Sequence, residues 1–431
     1  MTVPHYQRFI FENYHFDEAN GVATFRYSFD NTRRFTERVT FDNPEVYDKG
    51  MLNSALRLAF LLAGVSYYKC FPTRGVAMMS GEFTDRESAL LNTVYREGLG
   101  QFMYENGLEP KDMPNFQSGG DHISPTLRYE GEGILALQSG GKDSLLLAEL
   151  LKSYNHEFNA MYISSGSSYP AVIDKVGAKH VRSVSRDIDR QALALASQDG
   201  GLNGHVPVTY ITLAYALIDA VLHNENTILA AIGHEGDEPH AWIGDVQVNH
   251  QWSKTWTAEK LLAEHVHGAV SPDIRVGSPL RGYYELRIAE LFAERAWEKY
   301  GKEFSSCNVA NYSQGQTNKT LTWCGECPKC ANSFLLFAPF VDPTELASIF
   351  NHQNLFVKPQ LEHTFKGLLG IAEVMKPFEC VGEVVELRCA YYMARQNYPG
   401  AYQLPFEVPQ DNFDYRRMSE HQDWTGQYAA A

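Results

Sequence analysis

The amino-acid sequence predicts an α/β protein built on a parallel, doubly wound sheet, with a small α+β domain before it and a helical extension after it. Three observations predict the sheet. An apolar run of strand length, Leu135–Leu137, meets a small-residue turn and then a helix with apolar residues at helical spacing, Leu145–Leu151. The strand-like runs Phe158–Ile163 and Thr227–Ile232 follow, and an apolar helix at about 209–222 lies between them. Such alternation is typical of sheets that bind a ligand at the carboxyl ends of their strands.

The chain divides into three predicted domains. The first, residues 1–127, begins with a β-meander over 8–41, continues with two helices and ends in a linker over 107–127 that contains Pro and Gly. The second, residues 128–338, holds the predicted parallel sheet. The third, residues 339–431, is mostly helical and ends in a Pro- and aromatic-rich tail.

Composition narrows the class of protein. The chain has 431 residues, 44% hydrophobic and 21% charged, as in ordinary globular proteins. A formal net charge of −15 disfavours a dedicated nucleic-acid binder, which would usually have a basic domain, so we expect no nucleic-acid partner. The longest apolar runs, such as Leu58–Val65 and Phe334–Phe340, are far shorter than the roughly 20 residues of a membrane span. We therefore expect no membrane association.

The cysteines and the N-terminus indicate the compartment. Seven cysteines, an odd number, occur without an export signal at the N-terminus. This combination favours reduced thiols or metal ligands over disulfides. We expect a cytoplasmic protein; its oligomeric state is left open.

The turn after the first strand is the central candidate site. It consists of Ser139, Gly140, Gly141, Lys142, Asp143 and Ser144. Two glycines allow a tight turn, so that backbone N–H groups at a helix start can surround an anion. The loop is not a Walker A motif, because Ala136 and Asp143 occupy positions that would need Gly and Ser or Thr. It resembles the PP-loop of the ATP pyrophosphatases, which have the adenine-nucleotide alpha-hydrolase fold. The resemblance implies ATP at this loop, with Asp143 helping to hold Mg²⁺.

Four cysteines predict a metal site. Cys324, Cys327 and Cys330 recur at two-residue spacings, and Cys307 lies 17 positions upstream. Four thiolates fill the tetrahedral shell of Zn²⁺, so such a zinc would be structural. A redox or sulfur-transfer role is the alternative. The arrangement resembles the four-cysteine zinc site of 7-cyano-7-deazaguanine synthase. By the same resemblance, the helix start that contains Gly204 and His205 is expected near ATP.

Polar loops supply candidates for catalysis. His234, Glu235 and Asp237 directly follow a predicted strand, and such groups suit proton transfer or, for Asp237, Mg²⁺ binding. A second polar run contains His250, a further proton-transfer candidate, and Lys254, whose positive charge suits stabilisation of an anion that forms during the reaction.

Two arginines and a cysteine complete the candidate set. Arg281 and Arg287 suit recognition of a substrate carboxylate or phosphate, because a guanidinium offers a bidentate fork. Cys380 is a candidate proton-transfer thiol, and a buried inert cysteine is the alternative.

The chain as a whole resembles the MurL family of UDP-N-acetylmuramoyl-L-alanyl-L-glutamate epimerases. The resemblance rests on the PP-loop, the cysteine cluster and three further runs, which are Asn203–Thr209, Asn249–Lys254 and Phe378–Glu383. It implies ATP-dependent epimerisation of the terminal L-Glu of a UDP-muramoyl dipeptide through an acyl-adenylate, in peptidoglycan synthesis, with release of AMP and pyrophosphate. The alternatives are a 7-cyano-7-deazaguanine synthase-like ligase, a tRNA-thiolating enzyme and a non-catalytic nucleotide sensor.

Overall fold

The protein is a mixed α/β structure with one large sheet. The computed structural model describes residues 4–42, 47–120, 128–166, 168–234, 236–313, 316–317 and 319–421. The strands of the described residues are β1 Arg8–Asp17, β2 Val22–Phe29, β3 Arg33–Thr40, β4 Gly75–Met78, β5 Ile134–Leu137, β6 Asn159–Ser164, β7 Val181–Asp187, β8 Thr227–Leu229, β9 Ala241–Ile243, β10 Val246–Val248, β11 Arg275–Gly277, β12 Tyr312–Ser313 and β13 Gln316–Thr317.

Some of the helices begin directly after a residue whose side chain caps the first turn. The α-helices of the described residues are α1 Lys49–Ala63, α2 Val65–Tyr68, α3 Asp85–Val94, α4 Gly100–Asn106, α5 Lys142–Ser153, α6 Arg190–Gln198, α7 Val208–Leu222, α8 Trp256–His265, α9 Glu285–Arg295, α10 Trp297–Tyr300, α11 Asn308–Asn311, α12 Pro328–Phe337, α13 Pro343–Ile349, α14 Glu362–Leu368 and α15 Val384–Ala394. Asp48 caps α1 by accepting from the N–H groups of Gly50 and Met51. Thr84 and Glu87 form a reciprocal capping box on α3.

The main sheet has nine strands in the order β11-β8-β5-β6-β7-β3-β2-β1-β4. Its first five strands are parallel, and β7, β3, β2 and β1 then pair antiparallel. If the parallel strands are renumbered 1 to 5 along the chain, starting from β5, their order across the sheet from β7 to β11 is 3-2-1-4-5. The order therefore reverses between β5 and β8. In open α/β sheets, ligands bind at the carboxyl ends of the strands at this point of reversal.

The predicted meander is confirmed, and it joins the same sheet as the parallel strands. Alternating side chains of β2 place Phe25, Tyr27 and Phe29 on a buried face. Glu37 of β3 is also buried, and it accepts hydrogen bonds from Arg186 of β7 at 2.7 Å and from the hydroxyl of Tyr215 in α7. This network connects elements from the first and second predicted domains. The division into three domains stays a prediction.

One helical stretch of the described residues, Lys49–Tyr68, is long and apolar enough to cross a membrane. It comprises α1 and α2, and 78% of its most apolar window is buried inside the protein. Its Phe60 stacks on Tyr27 with 5.2 Å between ring centroids. The stretch therefore contributes to the core beneath the meander.

Candidate active site

The loop between β5 and α5 lies at the carboxyl end of the parallel sheet, where the strand order reverses. Ser144 Oγ accepts from the Ser139 N–H at 3.2 Å and donates to the Gly141 carbonyl at 3.2 Å, which closes the turn. Gly140 has φ +78°, and a Cβ at that position would lie 2.5 Å from the Leu321 side chain. Glycine is therefore required there both by the backbone and by the approach of a neighbouring loop. The predicted strand–turn–helix is confirmed.

Lys142 is the only basic residue of this loop, and two carboxylates flank it. Its Nζ donates to Asp143 Oδ1 at 2.7 Å and lies 3.4 Å from Glu285 Oε1 at the start of α9. Lys142 and Glu285 are both buried. The loop therefore combines a helix N-terminus, an ammonium group and two carboxylates, a set that suits a phosphate chain together with a divalent cation.

A cavity of about 410 Å³ opens in front of the loop. The polar residues that line it come from at least seven separate parts of the chain and include Ser139, Lys142, Asp143, Ser144, Thr209, Thr212, Lys254, Glu285, Ser305, Ser306, Asn308, Lys329, Asn332, Ser333 and Cys380. Two of the predicted catalytic residues, Lys254 and Cys380, thus share a cavity with the predicted ATP loop. Thr209 and Thr212 belong to the beginning of α7, whose start was expected near ATP.

Three other predicted residues lie outside the lining of this cavity. The ring centroids of His205 and His250 are 4.3 Å apart, and His250 Nδ1 is 2.7 Å from Gln101 Oε1. Burial lowers the pKa of His250 to about 4, and burial together with the charge of His250 lowers the pKa of His205 to about 3. Neutral imidazoles are therefore expected at pH 7. Gly204, whose carbonyl accepts from Lys69 Nζ at 3.0 Å, is likewise absent from the lining.

The segment after β8 forms a separate polar cluster. His234 stacks on His421 from the C-terminal tail, with 4.3 Å between ring centroids. Asp237 Oδ2 lies 3.1 Å from His421 Nε2 and lines a second cavity with Glu383. The described structure therefore places Asp143 and Asp237, the two predicted Mg²⁺ ligands, on different cavities. Glu235 lies outside the described residues.

Arg281 is fully buried and lines neither cavity. Its Nη1 donates at 2.8 Å to the carbonyls of Gly233 and Lys254, and its Nη2 donates to Glu259 Oε2 at 2.6 Å. In this structure Arg281 thus holds two site loops together instead of presenting its fork to a substrate, because no solvent reaches it.

Arg287 has a similar structural environment. It pairs with Glu290, which also pairs with Arg416 and accepts from the Tyr415 hydroxyl at 3.0 Å. These contacts attach the C-terminal tail to α9. Arg287 is also absent from the lining of the two cavities described above.

The four cysteines of the predicted metal site converge. The Sγ–Sγ distances are 3.6 Å for Cys307 and Cys327, 3.6 Å for Cys324 and Cys330, and 3.5 Å for Cys327 and Cys330. A tetrahedral Zn²⁺ with Zn–S bonds of about 2.3 Å requires sulfurs about 3.8 Å apart, so the set fits zinc with small shifts. Backbone N–H groups of Ala310, Gly325 and Glu326 point at three of the sulfurs at 3.2–3.4 Å, as thiolates require.

The cysteine cluster adjoins the loop Ser139–Ser144, which we call the phosphate loop after its predicted ligand. Cys307 lines the cavity in front of this loop, and the nearby Ser305 N–H donates to the Gly140 carbonyl at 3.2 Å. Leu321, between Cys307 and Cys324 in sequence, contacts Gly140 from the other side. A metal on these cysteines would therefore fix the segment that covers the loop.

Several residues of the site were missed by sequence reasoning. Glu285, Asn332, Glu386 and His421 are not among the predicted site residues, and Glu383 enters the prediction only as the last residue of the run Phe378–Glu383. Burial and then the charge of Glu238 raise the pKa of Glu383 to about 7, and burial raises the pKa of Glu386 to about 8. A signal that could have found this pair is the three-residue spacing of Glu383 and Glu386, just before and within the apolar helix α15.

The fold and the site together define a mixed α/β protein with a polar cleft at the carboxyl ends of its parallel strands. Residues 1–278 match the MurL N-terminal domain, and residues 303–403 match the MurL C-terminal domain. The chain belongs to the MurL family.

Curated relatives agree with this assignment. The chain is 33% identical over 380 residues to a protein of Xanthomonas oryzae pv. oryzae, and the aligned region covers 87% of this chain and 82% of that protein. It is 32% identical over 394 residues to a protein of Micromonospora sp., with coverage of 88% and 84%. Both relatives are named UDP-N-acetyl-alpha-D-muramoyl-L-alanyl-L-glutamate epimerase. Membership in this family supports an epimerase.

Proposed function

We propose that the protein epimerises the terminal L-Glu of UDP-N-acetylmuramoyl-L-Ala-L-Glu to D-Glu in an ATP-dependent reaction of peptidoglycan precursor synthesis. The observation that carries the substrate is family membership, with relatives of that name along most of the chain. The observation that supports ATP is the loop from Ser139 to Ser144 at the strand reversal, in one cavity with the predicted catalytic residues Lys254 and Cys380. The pathway implies a cytoplasmic enzyme with a small nucleotide-sugar peptide as its substrate.

Activation of the carboxylate explains why an epimerase would use ATP. Removal of the α-proton next to an ionised carboxylate places a second negative charge on the same group. Transfer of AMP to that carboxylate, with release of pyrophosphate, forms a mixed anhydride whose α-proton is far more acidic. Loss of that proton, return of a proton to the opposite face and hydrolysis of the anhydride then give D-Glu and AMP.

The phosphate loop would hold the β- and γ-phosphates of ATP. The N–H groups at the start of α5 and the Lys142 ammonium face the cavity and suit an anion. Mg²⁺, when bound, would neutralise phosphate charge. Asp143 and Glu285, which both approach the Lys142 Nζ, are the carboxylates available to hold it.

Cys380 and Lys254 are the best-placed proton-transfer residues. Both line the cavity with the phosphate loop, whereas His234 and His250 do not. The Lys254 ammonium would also stabilise negative charge on the enolate as it forms. Glu235 remains a candidate that the described residues do not address.

Zinc on Cys307, Cys324, Cys327 and Cys330 would be structural, because four thiolates leave no open position. Three of the four thiols are buried. Burial of this kind disfavours the alternative in which the cysteines carry sulfur to a tRNA, since such a thiol must meet its acceptor.

The proposal is tested by turnover in D₂O with and without ATP. The D-Glu product should carry deuterium at Cα, and AMP and pyrophosphate should form in step with it. Lys142→Ala should abolish both signals, while Lys152→Ala, a lysine on the same helix that pairs with Glu149, should retain them. Exchange without ATP, a product free of deuterium, or release of ADP and phosphate would refute the mechanism.

A further inference from the structure

We infer that His234, Asp237 and His421 bind a divalent transition-metal ion of the Zn²⁺ or Mn²⁺ class. We call these three residues the histidine cluster. Their candidate ligand atoms, two imidazole nitrogens and one carboxylate oxygen, lie within 4.8 Å of one another. The site is separate from the cysteine cluster, and the proposed function does not depend on it.

Contacts from several elements hold the cluster in place. The His421 ring stacks on Trp256, with 5.2 Å between ring centroids and an interplanar angle of 4°. It also stacks on His234, with 4.3 Å between centroids and an interplanar angle of 24°. The tail that carries His421 is anchored by the Ser419 N–H, which donates to the Gly282 carbonyl at 2.8 Å. The donors are therefore preorganised, and a bound ion would not have to order the tail first.

Both imidazoles have a nitrogen without a partner. His421 Nε2 is 3.1 Å from Asp237 Oδ2, and His234 Nε2 is 3.8 Å from Glu383 Oε1. The Nδ1 atoms of both rings are buried and have no hydrogen-bond partner among the described residues. A buried ring nitrogen without a partner is costly, so each ring has bonding capacity that the described residues do not use. The 3.1 Å between His421 Nε2 and Asp237 Oδ2 is also a distance that two ligands of one ion can have.

The surrounding charge favours a cation. The adjoining open cavity, of about 460 Å³, is lined by four carboxylates, those of Asp237, Glu238, Glu383 and Asp411, and by one guanidinium, that of Arg388. Lys376 Nζ approaches Glu238 Oε2 at 2.7 Å and offsets one further charge. The buried Arg281 guanidinium also acts on all three ligands, and its charge is paired with Glu259 at 2.6 Å. The carboxylates thus outnumber the cations, and the cavity offers a route for an ion from solvent.

The donor types select the ion. Mg²⁺ and Ca²⁺ prefer oxygen ligands, whereas two imidazoles with one carboxylate suit transition metals and leave positions open for water or a substrate oxygen. This inference reassigns Asp237 from Mg²⁺ to the histidine cluster.

Metal stoichiometry of the full-length protein tests the inference without substrate or ATP. The protein is stripped with a chelator, reloaded with Zn²⁺, desalted and analysed by elemental mass spectrometry. His421→Ala and Asp237→Asn should each bind one equivalent of zinc fewer than the unmodified chain. His180→Ala, which changes an exposed histidine, should bind as much as the unmodified chain.

Cobalt distinguishes the two metal sites. With Co²⁺, the His421→Ala variant should retain the thiolate-to-cobalt charge-transfer band of the cysteine cluster and lose only the weaker visible absorption of a nitrogen and oxygen site. Equal zinc content in all four proteins, or a loss confined to the thiolate band, would overturn the inference. Either result would leave the epimerase assay in D₂O unaffected, so the two proposals fail independently.

Discussion

Arg281 should stabilise the fold by joining the active-site loops through buried hydrogen bonds, and its replacement by methionine tests this role. Arg281 is 0% exposed, and its guanidinium donates to the Gly233 carbonyl, the Lys254 carbonyl and the Glu259 carboxylate. Glu259 is itself only 5% exposed. Arg281→Met preserves much of the apolar volume but leaves a buried carboxylate without its guanidinium.

The structure sets the size of the expected effect. Removing one partner of a buried ion pair costs about 3–5 kcal/mol, because the remaining charge is uncompensated. Arg281→Met should therefore lower the free energy of unfolding by about that amount. Adding Glu259→Gln removes the buried charge, so the double variant should be more stable than Arg281→Met alone. Arg128→Met is the matched control: Arg128 pairs with Asp273 at 2.9 Å but its side chain is 82% exposed, and it should cost less than about 1 kcal/mol.

Urea denaturation followed by tryptophan fluorescence measures these differences through the midpoint and slope of each transition. Turnover should also fall in Arg281→Met, since the backbone at Lys254 loses its anchor to the segment before His234. The reasoning is refuted if Arg281→Met is no less stable than Arg128→Met, or if Glu259→Gln does not recover stability in the Arg281→Met background.

Three further changes have defined outcomes. Cys330→Ser should remove the metal from the cysteine cluster. The melting temperature in calorimetry should then fall, because the metal no longer holds the segment over Gly140 in place. An unchanged melting temperature would contradict a structural metal. Burial raises the pKa of Glu386 to about 8 in the folded state, above its ordinary value of 4.5. Between these two pH values the folded chain holds a proton that the unfolded chain has released, so the free energy of unfolding falls as pH rises. Relative to Glu386→Gln, the unmodified chain should lose about 2 kcal/mol between pH 5.5 and 7.5 in urea melts, and parallel pH profiles would exclude this account. Cys380→Ala should abolish deuterium incorporation at Cα while Cys380→Ser retains a trace of it, and full incorporation by Cys380→Ala would remove Cys380 from proton transfer.

The amino-acid sequence by itself determined the local elements of this protein. The meander, the strand–turn–helix at the phosphate loop and the spacing of Cys324, Cys327 and Cys330 follow from alternation, helical periodicity and turn chemistry within a few residues. These features depend on neighbours in the chain, so a sequence pattern suffices to predict them. The expectation that polar groups gather where strands end was also sound, because parallel strands present their carboxyl ends together.

Only the tertiary structure decided which polar residues meet. Pairing of β3 with β7 joins the meander to the parallel strands, and no local pattern specifies that partner. Cys380 lines the cavity in front of the phosphate loop. Arg281, which the sequence also placed among the candidate site residues, is instead fully buried and joins loops through hydrogen bonds. His421 meets His234 from 187 positions away in the chain. Such contacts depend on how buried faces pack and how the tail docks, and this long-range information is not contained in the spacing of residues along the sequence.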